Sequence, residues 1–278
     1  MQNPLPVLSL APDTPDYRDL ERAVALLVSP TLTARITSMV GKPLERLLEY
    51  VPDGWEKNLH KLVEGALSKA ADAALWSLNN KPQEASPWWN KAYAAASGGV
   101  GGFFGFTGLA MELPVSTTIL MRAVADVARS EGFDLSDIET KQACIEVFAL
   151  GGETKQDDQA ETTYYAMRVF TAETVGFIAK ELAAMTSKEA TSKVTGAWLA
   201  ALIKKVASRF GVVVTEKAAA QAIPLIGAAG GAAINVMFTG FYQDMARGHF
   251  IVKRLEKKYG FEAVKQAFEA VRKRSPAG

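Results

Sequence analysis

The sequence predicts an all-α protein, and three observations carry that reading. Apolar residues recur at steps of three and four along most of the chain. Helix-capping signals punctuate it at intervals. The only β-like run, Val212 to Val214, has too few residues to found a sheet and is read as a turn. The expected architecture is a single multi-helix bundle with two central Gly-rich helices packed closely together.

The elements follow in order. Residues 1–13 are expected to be a flexible lead-in, 14–274 one helical domain, and 275–278 a disordered tail. Thr14, Pro15 and Asp16 suit an N-cap and first turn, opening a helix to Val28. Leu32 to Tyr50 reads as a second helix, disturbed by Gly41 and Pro43. Asp53 can cap a third, whose stripe of Trp55, Leu59, Leu62, Ala66, Ala70 and Ala73 runs towards Leu78. A polar linker, NNKPQEASP, occupies 79–87.

Leu113 to Glu131 has helical periodicity, with Gly132 suited to the left-handed residue beyond its end. Ser136 with Glu139 has capping-box spacing for a helix to Leu150. A polar break at 151–159 precedes an amphipathic helix over 161–185. Thr186 with Glu189 is a second capping box, leading to Arg209. Ile223 to Gly260 is the longest regular stretch, starting near Pro224 and stopping at a glycine. Phe261 to Lys273 forms the last helix.

Two segments share a plan. GGVGG at 98–102 precedes a helix closing on Gly132, and GAAGG at 227–231 precedes one closing on Gly260. Gly98, Gly101, Gly102 and Gly105 in the first, with Gly227, Gly230 and Gly231 in the second, are candidate helix-crossing glycines. Glycines four apart leave a helix face bare, so two backbones can approach. Gly101 or Gly105 is therefore expected against Gly227 or Gly231. Ala218 to Gln243 also carries no formal charge. That is long enough to span a bilayer, but its best 19-residue window has a mean hydropathy of only about 1.5, which is borderline. Burial in the core, re-entrant or shallow insertion, and true spanning all remain open from the residues.

Composition narrows the function. The net charge of +1 gives no case for nucleic acid. Charge is uneven, however: nine acids face two lysines between Glu131 and Glu161, and nine bases face three acids between Arg247 and Arg274. Such blocks either meet each other, sit in solvent, or offer a basic surface to anionic lipid. A single cysteine, Cys144, excludes an internal disulfide and fits a reducing compartment. The proline-rich start lacks the basic region of a secretory signal.

Enzyme motifs are largely missing. There is no H-E-x-x-H, C-x-x-C, G-x-S-x-G or phosphate-loop signature, and no catalytic residue, metal site or cofactor is assigned. His60 and Glu64 share a helix face and are read as a solvated pair. Glu112 follows an apolar run, and an unpaired carboxylate there would cost several kcal/mol. Its expected partners are Arg122, Arg254 and His249. With Asn235 they form a candidate polar cluster: Glu112, Arg122, Asn235, His249 and Arg254. On one straight helix Asn235 and His249 would lie about 21 Å apart, so a compact site would require a break near Gly240 or Gly248. Unbroken, the helix should place Asn235 against a neighbouring backbone and His249 and Arg254 near Glu112 or the acidic turn at 131–139.

Two blocks carry a family resemblance: SGGVGGFFGFTGLAMELPVSTTILMRAVADVARSEGFD at 97–134 and IPLIGAAGGAAINVMFTGFYQDMARGHFIVKRLEKKYG at 223–260. Together they resemble the EcsC family, departing from its usual pattern at Glu112 and Glu131. The resemblance implies an all-helical bacterial protein and no known reaction. The family is named from a gene beside an ABC-transporter pair. The expected function is therefore a non-enzymatic accessory protein, cytoplasmic and peripheral to the inner membrane. Expected partners are a membrane surface, a membrane protein or a hydrophobic ligand, and not nucleic acid. The alternatives are a hydrolase or small-ligand enzyme using the polar cluster, and a soluble carrier of a hydrophobic ligand.

Overall fold

A computed structural model describes residues 11–41, 46, 48–49, 51, 55–75, 112–151, 164–169, 171, 188–221 and 227–274. The fold is all-α, with no strand among the described residues. Helix α1 spans Pro15–Leu27, α2 Leu32–Val40 and α3 Trp55–Leu75. Residues 112–130 form α4, and α5 is Ile138–Glu146, continued by a 3-10 turn at Val147–Ala149. Residues 164–169 and 171 belong to α6. Helices α7 (Lys188–Gln221), α8 (Gly227–Tyr259) and α9 (Phe261–Arg274) complete the chain.

Helix α8 is the axis of the molecule. Its 33 residues run unbroken for about 50 Å. Ile234, Phe238, Phe241, Tyr242, Ala246, Phe250, Val252 and Leu255 are buried on more than one side. A helix that buries apolar residues on several sides must pack among other helices. Here α1, α2, α7, α9 and the 3-10 turn surround it. Gly260, at φ +86°, ends it in the left-handed region that glycine adopts without strain. The chain then turns directly into α9.

Helix α1 packs extensively along α8. Thr14 caps it, its hydroxyl accepting from the Tyr17 amide at 3.1 Å. Leu20, Ala23 and Val24 are fully or almost fully buried. Gly248 makes the approach possible, because a Cβ there would lie 2.6 Å from Leu27 Cγ and 3.1 Å from the Ala23 carbonyl oxygen. An aromatic cluster of Phe148, Phe210, Phe238, Phe241 and Tyr242 joins the 3-10 turn and α7 to α8, with centroids 5.1–6.3 Å apart.

Several expected boundaries are corrected. Gly41 stops α2 at φ +68° instead of disturbing a longer helix. The run Val212 to Val214 is not a turn: α7 continues through it to Gln221, with Val213 and Val214 fully buried. Packing on one face there outweighs the weak helix propensity of β-branched residues. No Ser136 capping box forms. The Ser136 amide and hydroxyl both donate to Asp134, at 2.7 and 2.6 Å, and Asp137 occupies the cap position. The glycines at 98–105, the linker at 79–87, most of the break at 151–159 and all of 172–187 lie outside the described residues, as do 1–10 and 275–278. The expected contact between the two glycine clusters therefore falls outside them as well.

Candidate functional site

The polar groups of the interior form two clusters, each against a different part of α8. The first joins three helices. Glu112 enters from the first described turn of α4, Lys217 from the last turns of α7, and Asn235 from the first half of α8. Lys217 Nζ donates to Glu112 Oε1 at 2.8 Å, and Asn235 Nδ2 donates to the same oxygen at 2.9 Å. All three residues are buried, Glu112 at 6%, Lys217 at 1% and Asn235 at 2% exposure. Burial on its own would raise the Glu112 carboxyl. The Lys217 charge and hydrogen bond, aided by Asn235 and Ser116, outweigh it and hold the group below its ordinary value. It is therefore a carboxylate. Lys217 Nζ also lies 5.1 Å from the centroid of the Phe238 ring.

The second cluster surrounds His249, which is fully buried. The Tyr164 hydroxyl lies 3.1 Å from Nδ1, and Nε2 lies 3.7 Å from Glu146 Oε2. Burial, with Lys253 and Arg168 nearby, pushes the imidazole well below its usual pKa, so it is neutral at pH 7. The tautomer that suits both neighbours has Tyr164 donating to Nδ1 and the Nε2 proton directed at Glu146. Burial raises the Tyr164 phenol well above its ordinary range, so it is a hydrogen-bond donor and not a base at neutral pH. Gln142 Nε2 donates to the other Glu146 oxygen at 2.6 Å, and Arg168 pairs with Glu256. The cluster ties α5, α6 and α8 together.

The residues singled out in sequence thus part company. Glu112 and Asn235 meet directly. Asn235 was also expected on the backbone of a neighbouring glycine-rich segment, which lies outside the described residues. His249 lies elsewhere, because the unbroken α8 separates it from Asn235 by about 21 Å. Arg122 is exposed on α4, its guanidinium 3.5 Å from the Ala73 carbonyl oxygen. Arg254 is at the surface, donating to Asp19 Oδ2 at 2.6 Å and to Glu131 Oε2 at 3.2 Å. Lys217 was missed. Its signal is a lone cation among Val213, Val214 and Ala218 to Ala220, visible only once α7 is extended past Arg209.

Around Arg254 the acidic and basic blocks of the sequence meet in part. Glu131 accepts from Arg247 at 2.7 Å as well as from Arg254. Asp16 accepts from Lys258 at 2.5 Å and from the Tyr259 hydroxyl at 2.6 Å, which lowers its pKa. Arg254 therefore clasps α1, α8 and the end of α4.

A protein-family model, described as the EcsC protein family, matches residues 17–255. The chain belongs to the EcsC family. The match covers most of α1 and of α8 and the sequence between them, and so every residue named in the two buried clusters except Glu256. No curated protein and no solved structure matches the chain. In this EcsC chain the chemistry available inside is pairing: a carboxylate neutralised by an ammonium and an amide, and a neutral imidazole between a phenol and a carboxylate. Among the described residues no group of His, Cys, Asp and Glu could hold a metal ion. Cys144 is buried, and burial raises its thiol well above the range in which thiolate forms.

Proposed function

We propose that this EcsC chain is a non-enzymatic helical accessory protein that works at the cytoplasmic face of the membrane, in contact with lipid or a partner helix. Service to an ABC transporter or another envelope process is the setting that the family name suggests. The observation that carries the reading is the N-terminal helix pair. Among the described residues no single helix is long and apolar enough to cross a membrane. Helices α1 and α2 together do reach that length and composition, bent by 54° at their break. From Ala23 to Val40 the only charged residue is Arg35, which pairs with Asp244 at 3.4 Å. Val28 and Met39 are 46% and 43% exposed there. A bent, nearly charge-free pair with exposed apolar side chains suits shallow contact with the headgroup boundary.

The enzyme alternative rested on one compact cluster of Glu112, Asn235, His249 and Arg254. An unbroken α8 removes that premise, since these groups occupy three separate environments. The test is fractionation of cells, with the membrane pellet washed first in salt and then in detergent. Retention through salt and release by detergent is expected, and Val28→Glu with Met39→Glu should move the protein to the supernatant. Wild-type protein found wholly in the soluble fraction overturns the proposal.

A further inference from the structure

Helix α9 buries one face and leaves the other open. Val264, Phe268 and Val271 point into the core, at the three- and four-residue spacing of one stripe. A shallow groove of about 420 Å³ runs along the outer face, lined by Glu262, Lys265, Gln266, Glu269, Ala270 and Lys273. Glu262, Gln266, Ala270 and Lys273 are exposed, and Lys265 and Glu269 are half-buried. Glu269 bonds Arg272 within the helix at 2.9 Å, and the Lys265 ammonium lies 5.9 Å from the Tyr165 ring centroid.

The order of these residues is its own complement. Turn the helix end for end about a two-fold axis between Ala267 and Phe268, and Glu262 faces Lys273 of the turned copy. The same axis sets Gln266 opposite Glu269, an amide donor against a carboxylate, and Lys265 opposite Ala270, an alkyl stem against a methyl group. All six lining residues find a partner under one operator, with no like charges opposed. An isologous interface needs this property, because every contact across a two-fold axis occurs twice. We propose that a second copy of this chain docks along α9, antiparallel about this axis. The inference is independent of any membrane role.

The matched stretch, from Glu262 to Lys273, is only about 16 Å long. So small an interface, below the size of stable ones, gives a weak dimer held largely by charge. Sedimentation equilibrium on the intact chain, up to about 0.5 mM, reads it. Wild-type protein should self-associate at low salt, and raising salt to about 0.5 M should weaken it markedly. Glu262→Lys alone and Lys273→Glu alone each oppose like charges twice and should weaken association about tenfold or more. A mixture of the two single variants should associate again, because each then supplies what the other lacks. Both positions are exposed, so circular dichroism should show both variants folded. The proposal is overturned by a wild-type chain that stays monomeric, by association indifferent to the reversals, or by a mixture that fails to recover.

Discussion

Lys217 Nζ lies 2.8 Å from Glu112 Oε1, with neither side chain more than 3% exposed. The two charged residues lie 105 positions apart in sequence, on different helices. Each is tolerated inside only because the other is there, since an uncompensated charge in the interior is strongly destabilising. Asn235 supplies a second hydrogen bond to the same oxygen and fixes α8 against both partners. The cluster therefore sets the register of α4, α7 and α8.

Glu112→Ala should lower stability by about 3 kcal/mol, since it strands Lys217 in the core. His60→Ala, on a partly exposed face of α3, should cost under about 0.5 kcal/mol. Urea midpoints compare the two directly. Replacing both partners, Glu112→Leu with Lys217→Met, should recover most of the loss, because no charge is then left unpaired. Equal midpoints for Glu112→Ala and His60→Ala would contradict the buried pairing.

His249 makes stability depend on pH in the mildly acidic range. Its folded pKa is far below the ordinary 6.5, so the native state stays neutral where the unfolded chain takes up a proton. Stability is then complete above about pH 6.5 and falls as pH drops, by about 1.4 kcal/mol per unit, until the folded pKa is reached. Glu146, Tyr164, Lys253 and Arg168 are the charged or titratable groups around it. Denaturation at pH 7.5, 6.0 and 5.0 (about one unit apart near the transition) should show this slope in the wild type and lose it in His249→Gln. An unchanged slope in the variant would refute the assignment.

Gly248→Ala should cost about 1–3 kcal/mol, because its Cβ would press on Leu27 Cγ and the Ala23 carbonyl of α1. Gly65→Ala, on the exposed side of α3 with nothing within 4 Å, should gain about 0.5–1 kcal/mol through helix propensity. Thermal melts of the two variants should therefore shift in opposite directions.

The clasp around Arg254 is partly exposed, so each pair contributes little, of order 0.2–1 kcal/mol. Its effect should be local. Arg254→Ala should speed amide exchange in α1 more than in α7, and added salt should act in the same direction on the wild type. Uniform change across both helices would show that the clasp does not hold α1 in place.

Much of this architecture is legible in the residues. The period of α8, its stop at Gly260 and the cap at Thr14 are local signals, and each forms as the local chemistry dictates. The acidic and basic blocks also foretell the meeting of Glu131 with Arg247 and Arg254. Partner identity is another matter. That Glu112 requires a cation follows from its apolar setting, but Lys217 is chosen by how α4 and α7 pack. No local pattern encodes that. The three valines at 212–214 concealed it further, since reading them as a turn removes Lys217 from a helix face. The separation of His249 from Glu112 likewise depends on α8 staying straight through Gly240, which its buried neighbours enforce and its own sequence does not.

The interior polar groups hold the fold, and the proposed membrane contact lies on the surface near α1 and α2. Flotation of purified protein with neutral and anionic vesicles tests it most directly. The wild type and the Glu112→Leu, Lys217→Met variant should both float with vesicles, while Val28→Glu, Met39→Glu should remain at the bottom of the gradient. A wild type that never floats, or a surface variant that floats equally well, would contradict the account.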